Sequence, residues 1–181
     1  NVVAATSTVA IGGSAGQGAS SRTDLDSVYV GSSVGSSLGN TSYNTFVGAR
    51  AGYTSFGGGY GNLFLGAYSG YNLGSGGSNN LALGNYTNFA STTGSSQLNI
   101  GNLVFGTLPA TSSAFRLPTS GAIGIGTSSP FAKLAVQANN GDTATTLFAI
   151  GSSTASATST LFSVSNTGSP TLFQLPSSLL K

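Results

Sequence analysis

Asn44-Thr45-Phe46-Val47-Gly48-Ala49-Arg50-Ala51-Gly52-Tyr53 returns 18 residues later as Asn62-Leu63-Phe64-Leu65-Gly66-Ala67-Tyr68-Ser69-Gly70-Tyr71. It returns once more as Asn80-Leu81-Ala82-Leu83-Gly84-Asn85-Tyr86-Thr87-Asn88-Phe89. Each copy begins with Asn, an apolar tripeptide and Gly. Outward from these three, the tripeptide and its Gly recur as Val28-Tyr29-Val30-Gly31 and Val9-Ala10-Ile11-Gly12 on one side, and as Leu98-Asn99-Ile100-Gly101 on the other. The turn glycines Gly12, Gly31, Gly48, Gly66, Gly84 and Gly101 therefore lie 19, 17, 18, 18 and 17 residues apart. A second series, Gly16, Gly35, Gly52 and Gly70, follows four positions behind, and Asn88 stands there in the Gly84 copy. Asn is the best substitute for Gly where φ must be positive. Six spaced matches with a correlated second Gly mark a structural repeat.

Side chains alternate faces along a strand. The first and third tripeptide positions, Val28/Val30, Thr45/Val47, Leu63/Leu65, Leu81/Leu83 and Leu98/Ile100, are nearly all β-branched or Leu. That face is expected to be buried, with the variable middle position (Tyr29, Phe46, Phe64, Ala82, Asn99) pointing outward. The Gly then turns the chain, and a short second strand is expected through Ala49 and Ala51, or Ala67 and Ser69. One such coil cannot bury its apolar face alone. Coils stacked about 4.8 Å apart bury a continuous core, which is the logic of a β-solenoid or β-roll. Stacking also predicts an aromatic ladder of Tyr53, Tyr71 and Phe89, and an amide ladder of Asn44, Asn62 and Asn80.

The composition fits that architecture. Of 181 residues, 28 are Gly, 31 Ser and 21 Thr, with five Lys+Arg, three Asp+Glu, and no His, Cys, Met or Trp. Charged residues are 4% of the chain, against roughly 25% in an ordinary soluble domain. Like charges on adjacent coils would repel, whereas Ser, Thr, Asn and Gly stack without that cost. A hydrophobic content of 39% is too high for a disordered linker. A net charge of +2 gives no electrostatic footprint for nucleic acid or anionic lipid. No apolar run approaches the roughly 18 residues of a membrane span. The chain lacks an initiating Met and a leader-like start, and reads as a processed or partial piece. Scarce charge, abundant Ser/Thr and no oxidisable Cys or Met suit an extracellular, cell-surface or virion-appendage setting.

From about Leu103 the period fades. Residues 1–107 are expected to form the solenoid, 108–120, framed by Pro109 and Pro118, a connector, and 121–181 a β-prism-like fibrous segment. The latter opens with Gly121-Ala122-Ile123-Gly124-Ile125-Gly126. There Ser129-Pro130 is suited to cap a single helical turn, and Lys133 to Gln137 alternates as a strand does. A looser repeat, Thr-Leu-Phe at 146–148, 160–162 and 171–173, places Phe148, Phe162 and Phe173 in register. Asn140-Gly141 and Thr167-Gly168 are the expected turn centres. Both termini are apolar and neither looks capped, so a solenoid end is expected to continue or to pair head-to-tail with another subunit.

The stretches Asn44 to Tyr53, Asn62 to Tyr71 and Asn80 to Phe89 resemble the Gly-rich repeats of bacterial surface proteins, and are similar to the head β-rolls of trimeric autotransporter adhesins. Residues 121–136, GAIGIGTSSPFAKLAV, resemble an element of phage tail fibres and fibrous bacterial surface proteins. The resemblance implies an intertwined homotrimer.

Little in the chain points to catalysis. Without His, the commonest general base and metal ligand are missing, and no cofactor or metal is expected. Asp24 and Asp26 alternate along one edge, but lack the glycine-rich frame of a calcium solenoid and read as loop residues beside Arg22. Gly124-Ile125-Gly126 lacks the third Gly and downstream acid of a dinucleotide loop. Lys133 near Asn139, Asn140 and Asp142 is one arrangement for an isopeptide crosslink, against a plain solvent-facing lysine. Asn40-Thr41-Ser42 and Asn85-Tyr86-Thr87 match the glycosylation sequon, as chance would give in so Asn/Ser/Thr-rich a chain. The aromatics Tyr43, Phe56, Tyr60, Tyr68 and Tyr86 fall in loops or outward positions. They suit either sugar stacking, with Tyr68 and Tyr86 foremost, or packing between subunits. The expected function is a structural spacer, stalk or filament body, the alternative an adhesin or tail-fibre shaft that binds surface glycan.

Overall fold

The computed structural model describes residues 4–17, 23–53, 59–109, 120–143, 145–153 and 158–172. Among these the chain is all-β with no helix, and it divides into two compact units, Asn1–Ala135 and Val136–Lys181. Ser129-Pro130 caps no helical turn; the chain bends there and runs directly toward the next strand.

The first unit is a parallel β-solenoid. Its main ladder consists of β2 (Val9–Ile11), β4 (Val28–Val30), β6 (Thr45–Val47), β7 (Leu63–Leu65), β8 (Leu81–Leu83) and β9 (Gln97–Ile100). Successive strands are parallel and paired in the register of the repeat: Val9 with Val28, Val28 with Thr45, Thr45 with Leu63, Leu63 with Leu81, and Leu81 with Leu98. A second, shorter ladder is built by β1 (Ala4–Thr6), β3 (Thr23–Leu25) and β5 (Thr41–Ser42), extended by a bridge from Ser42 to Tyr60. The short strands precede the tripeptide instead of following its Gly. A corner residue at positive φ joins the two: Ser7, Asp26 and Tyr43 lie at 60°, 51° and 59°. The stretch after each Gly, where a strand was expected, is a turn. It still stacks, because Gly66 N donates to Val47 O and Tyr68 N to Ala49 O, both across one coil.

The face assignment is the reverse of the expectation. Tyr29, Phe46, Phe64 and Ala82 are 0% exposed, whereas Val9, Ile11, Val47, Leu65 and Ile100 are exposed on the outer side. The core is a column of rings. Phe46 and Phe64 stack at 4.5 Å between centroids, 2° from parallel, and Tyr29 tilts onto Phe46 at 5.6 Å. The hydroxyl of buried Tyr29 meets Thr41 Oγ1 at 3.2 Å. Rings of this size need space behind them, which Gly52 and Gly70 supply: a Cβ on Gly70 would sit 2.6 Å from the Phe64 ring. In the next coil the middle residue shrinks to Ala82, and Phe89 swings in against Phe64 at 5.6 Å to fill the volume. With no ring beneath it, Asn88 is not held at positive φ, contrary to the substitution logic above.

The amide ladder is present. Asn62 donates from its backbone N and its Nδ2 to Asn44 Oδ1, at 2.9 and 3.0 Å; Asn80 repeats both bonds to Asn62 Oδ1, at 2.9 and 3.1 Å. Ser27 Oγ accepts from Asn44 N below, and Gln97 N donates to Asn80 Oδ1 above. The Nδ2 groups also reach carbonyls of their loops, Gly59, Gly77 and Gly94. Buried polar groups are thereby satisfied, as an uncharged polar column requires.

The ladder does not end open after β9. The chain reverses at Gly101-Asn102, at φ 60° and 56°, with Leu103 N donating to Ile100 O. Two consecutive residues at positive φ make the tight turn of a three-residue hairpin loop, Gly101 to Leu103, since Ile100 pairs with Val104. The strand β10 (Val104–Thr107) lies antiparallel on β9, β11 (Ala122–Ile125) antiparallel on β10, and β12 (Leu134–Val136) completes a nine-stranded sheet. The Gly121–Gly126 element therefore pairs with the solenoid sheet beyond β9; most of the apolar finish expected to be uncapped, 171–180, lies outside the described residues.

The second unit contains β13 (Thr146–Ser153), β14 (Thr158–Ser165) and β15 (Pro170–Leu172), an antiparallel sheet in that order. Phe148 and Phe162 meet edge-on at 6.0 Å, while Phe173 lies outside the described residues. Gly141 and Gly168 are at φ 95° and 79° in turns closed by Asp142 N on Asn139 O and Gly168 N on Ser165 O.

Candidate functional site

Two surfaces of the first unit stand out. The first is the outer face of the nine-stranded sheet. Inverting the tripeptide puts one column of Val9, Val28, Thr45, Leu63, Leu81 and Leu98 on this face, beside a second of Ile11, Val30, Val47, Leu65, Leu83 and Ile100. The antiparallel cap prolongs both, since Val104 pairs with Ile100 and with Ile125, and Ile123 joins through Gly106. Ile11 is 59% exposed, Val9 48%, Ile123 46%, Ile100 40% and Leu134 57%. Nine strands about 4.8 Å apart give this face a length of about 38 Å, and none of the positions named carries a charge.

The second surface is a tyrosine ladder on the turns. Tyr53 and Tyr71 stack at 5.8 Å, 2° from parallel, as the repeat predicts. Phe89, the expected third rung, has turned into the core. The ladder gains other members instead: Tyr68 and Tyr86 stack at 4.8 Å, and Tyr68 tilts onto Tyr71 at 5.5 Å. The Arg50 guanidinium lies 5.5 Å from the Tyr53 centroid and 5.6 Å from that of Tyr68, and Arg50 Nη1 donates to Tyr68 Oη at 2.9 Å. Arg50, Tyr68 and Tyr86 are successive residues of one column at φ 55°, 56° and 55°, a column that Ser14 and Ser33 also occupy at 57° and 52°.

The turn glycines hold the backbone that presents this ladder. Gly12, Gly31, Gly48, Gly66 and Gly84 have φ between 117° and 140°. A Cβ on Gly48 would fall 2.5 Å from Gly66 O, and Gly12, Gly31 and Gly66 are blocked in the same way by the next coil's backbone, whereas a Cβ on Gly84 would meet nothing nearer than 3.3 Å. Gly16 and Gly35 lie at φ 62° and 54° in the second series, and Gly101 belongs to the closing hairpin.

Among the described residues no three His, Cys, Asp or Glu form a metal-holding group. Asp26 is an exposed corner residue, and Arg22 and Phe56 lie outside the described residues. Lys133 Nζ donates to Gly121 O at 3.1 Å, while Asp142 Oδ2 accepts from Asn139 N. Asn85 Oδ1 accepts from Ala67 N, and Thr87 Oγ1 is buried against Ser69 Oγ and Gly84 O, so this sequon is woven into the turn column. No helix among the described residues is long and apolar enough to cross a membrane. The geometry defines the first unit as a parallel β-solenoid closed at one end by an antiparallel meander. No family, curated protein or solved structure matches the chain.

Proposed function

We propose that this chain is a non-enzymatic structural segment of an extracellular fibre, in which further copies of the chain cover the outer face of the nine-stranded sheet. The observation that carries this reading is that face itself: two columns, Val, Ile and Leu throughout except for Thr45 and Gly106, that stay in register through eight strands while pointing away from the ring core. Monomeric soluble proteins rarely expose contiguous apolar patches beyond a few hundred Å², and a stable association between copies buries a surface of this kind. A repeat keeps the columns apolar only if something covers them, since the core is already filled by the middle residues. The adhesin-like stretches from Asn44 to Phe89 favour three copies about one axis, and the sparse charge favours a cell-surface or virion-appendage location.

Sedimentation velocity on the whole chain tests this reading. The expected result is an elongated species of about three times the 17.7 kDa chain mass. A monomer persisting at micromolar concentration would contradict it.

A further inference from the structure

The tyrosine ladder has two unlike ends. At one, the Arg50 guanidinium covers the faces of Tyr53 and Tyr68. At the other stands Tyr86, stacked on Tyr68 on one side and 63% exposed, with no further ring on it among the described residues. The hairpin turn after β9 brings Asn102 to its backbone, where Asn102 Nδ2 donates to the Tyr86 carbonyl at 3.0 Å. Tyr86 N is held too, on Ala67 O. The backbone is thus fixed, and the rung behind fixes one ring face.

The turn itself does not require an aromatic at this position, although the stack on Tyr68 supports one. A bulky residue at positive φ is uncommon and costs roughly 1–3 kcal/mol. Ser14 and Ser33 fill the same column in earlier coils, so the turn is satisfied by a small polar residue. What Tyr86 adds is a supported ring plane at the surface. Around it the chemistry is uncharged. Asn85 is exposed and uses Oδ1 on Ala67 N, which leaves its Nδ2 as a donor, and Asn88 presents a second exposed amide. Arg50 is engaged at the far end by Tyr68 Oη and two rings.

From this geometry we infer that Tyr86, backed by Tyr68 and flanked by Asn85 and Asn88, is a stacking platform for an uncharged oligosaccharide. The apolar C–H face of a pyranose lies on the ring, and its hydroxyls meet amide donors and acceptors. A nucleobase would stack as well, but single-stranded nucleic acid also needs a basic groove for its backbone, and no such groove accompanies the ring among the described residues. An acidic sugar would need a free cation beside it.

The test is an array of immobilised uncharged glucose-, galactose-, mannose- and N-acetylhexosamine-based oligosaccharides, with sialylated sugars alongside. Four forms of the full chain are compared: wild type, Tyr86→Ser, Tyr86→Phe and Tyr43→Ser. Wild type should retain at least one uncharged oligosaccharide. Tyr86→Ser should weaken it about ten-fold or more while folding normally, since Ser already serves this column. Tyr86→Phe should keep it, and Tyr43→Ser, at an exposed tyrosine at φ 59° with no ring partner among the described residues, should leave it unchanged. The inference is overturned by retention of none of the uncharged sugars, by binding of sialylated sugars only, by Tyr86→Phe failing like Tyr86→Ser, or by equal loss in Tyr43→Ser. Each of these readouts is independent of the sedimentation result, so the platform and the fibre can fail separately.

Discussion

The two units are built from the same residues in different arithmetic. In the solenoid each position meets its own kind 17 to 19 residues away, so Phe64 stacks on Phe46 and Asn62 hydrogen-bonds Asn44. In the C-terminal sheet the Thr-Leu-Phe segments pair antiparallel, Phe148 faces Val164 and Ile150 faces Phe162, and no residue with a described side chain is buried. A constant period turns a weak tripeptide into a continuous column with an inside. Among the described residues an irregular one gives a single layer, and a three-stranded sheet with no buried side chain is marginal. Like composition therefore leads to unlike stability.

Removing one ring from each unit gives the largest contrast. Phe64→Ala empties the centre of the core column and should cost about 3–5 kcal/mol. Phe148→Ala, from a ring 44% exposed, should cost about 1 kcal/mol or less. Denaturant melts of the two variants measure the difference, and equal losses would erase the distinction.

A polar pair sharpens the contrast at smaller scale. Asn62→Leu keeps the volume but removes the acceptor of Asn80 N and Asn80 Nδ2 and the donor to Gly77 O. Buried groups left unpaired should lower stability by about 2–4 kcal/mol. Asn166→Ala in the second unit gives up an exposed bond to the Asp142 carbonyl and an Oδ1 that has no partner. It should cost well under about 1 kcal/mol, again read from the melting midpoint.

Much of this is legible in the sequence. The Gly-anchored period yields the strand register residue by residue, and the recurring Asn yields the amide ladder. Inside and outside were not legible from the tripeptide, because all three of its positions are apolar and a two-residue period cannot choose between two apolar faces. Two signals bear on the choice. Large rings at the middle position (Tyr29, Phe46, Phe64) coincide with Gly four residues after the turn, and the ring lost at Ala82 coincides with the Gly replaced by Asn88. Both make sense only if the middle residue points inward at that Gly. The closing meander was hidden for another reason. The fading of the period at Leu103 looks like the end of the sheet, yet Gly101-Asn102 between apolar residues is itself a hairpin signal. The Tyr68–Tyr86 stack follows from the 18-residue spacing. Phe89 leaving the predicted aromatic ladder follows only from the volume vacated at Ala82.

The central claim is that each coil turns its middle residue inward and offers the flanking residues to other copies of the chain. Molar mass by light scattering, with circular dichroism on the same samples, tests it on Leu65→Lys against Phe64→Lys. Wild type should be an assembly, Leu65→Lys a folded species at 17.7 kDa, and Phe64→Lys unfolded. A wild-type monomer, or a Leu65→Lys chain that unfolds as Phe64→Lys does, would contradict the account.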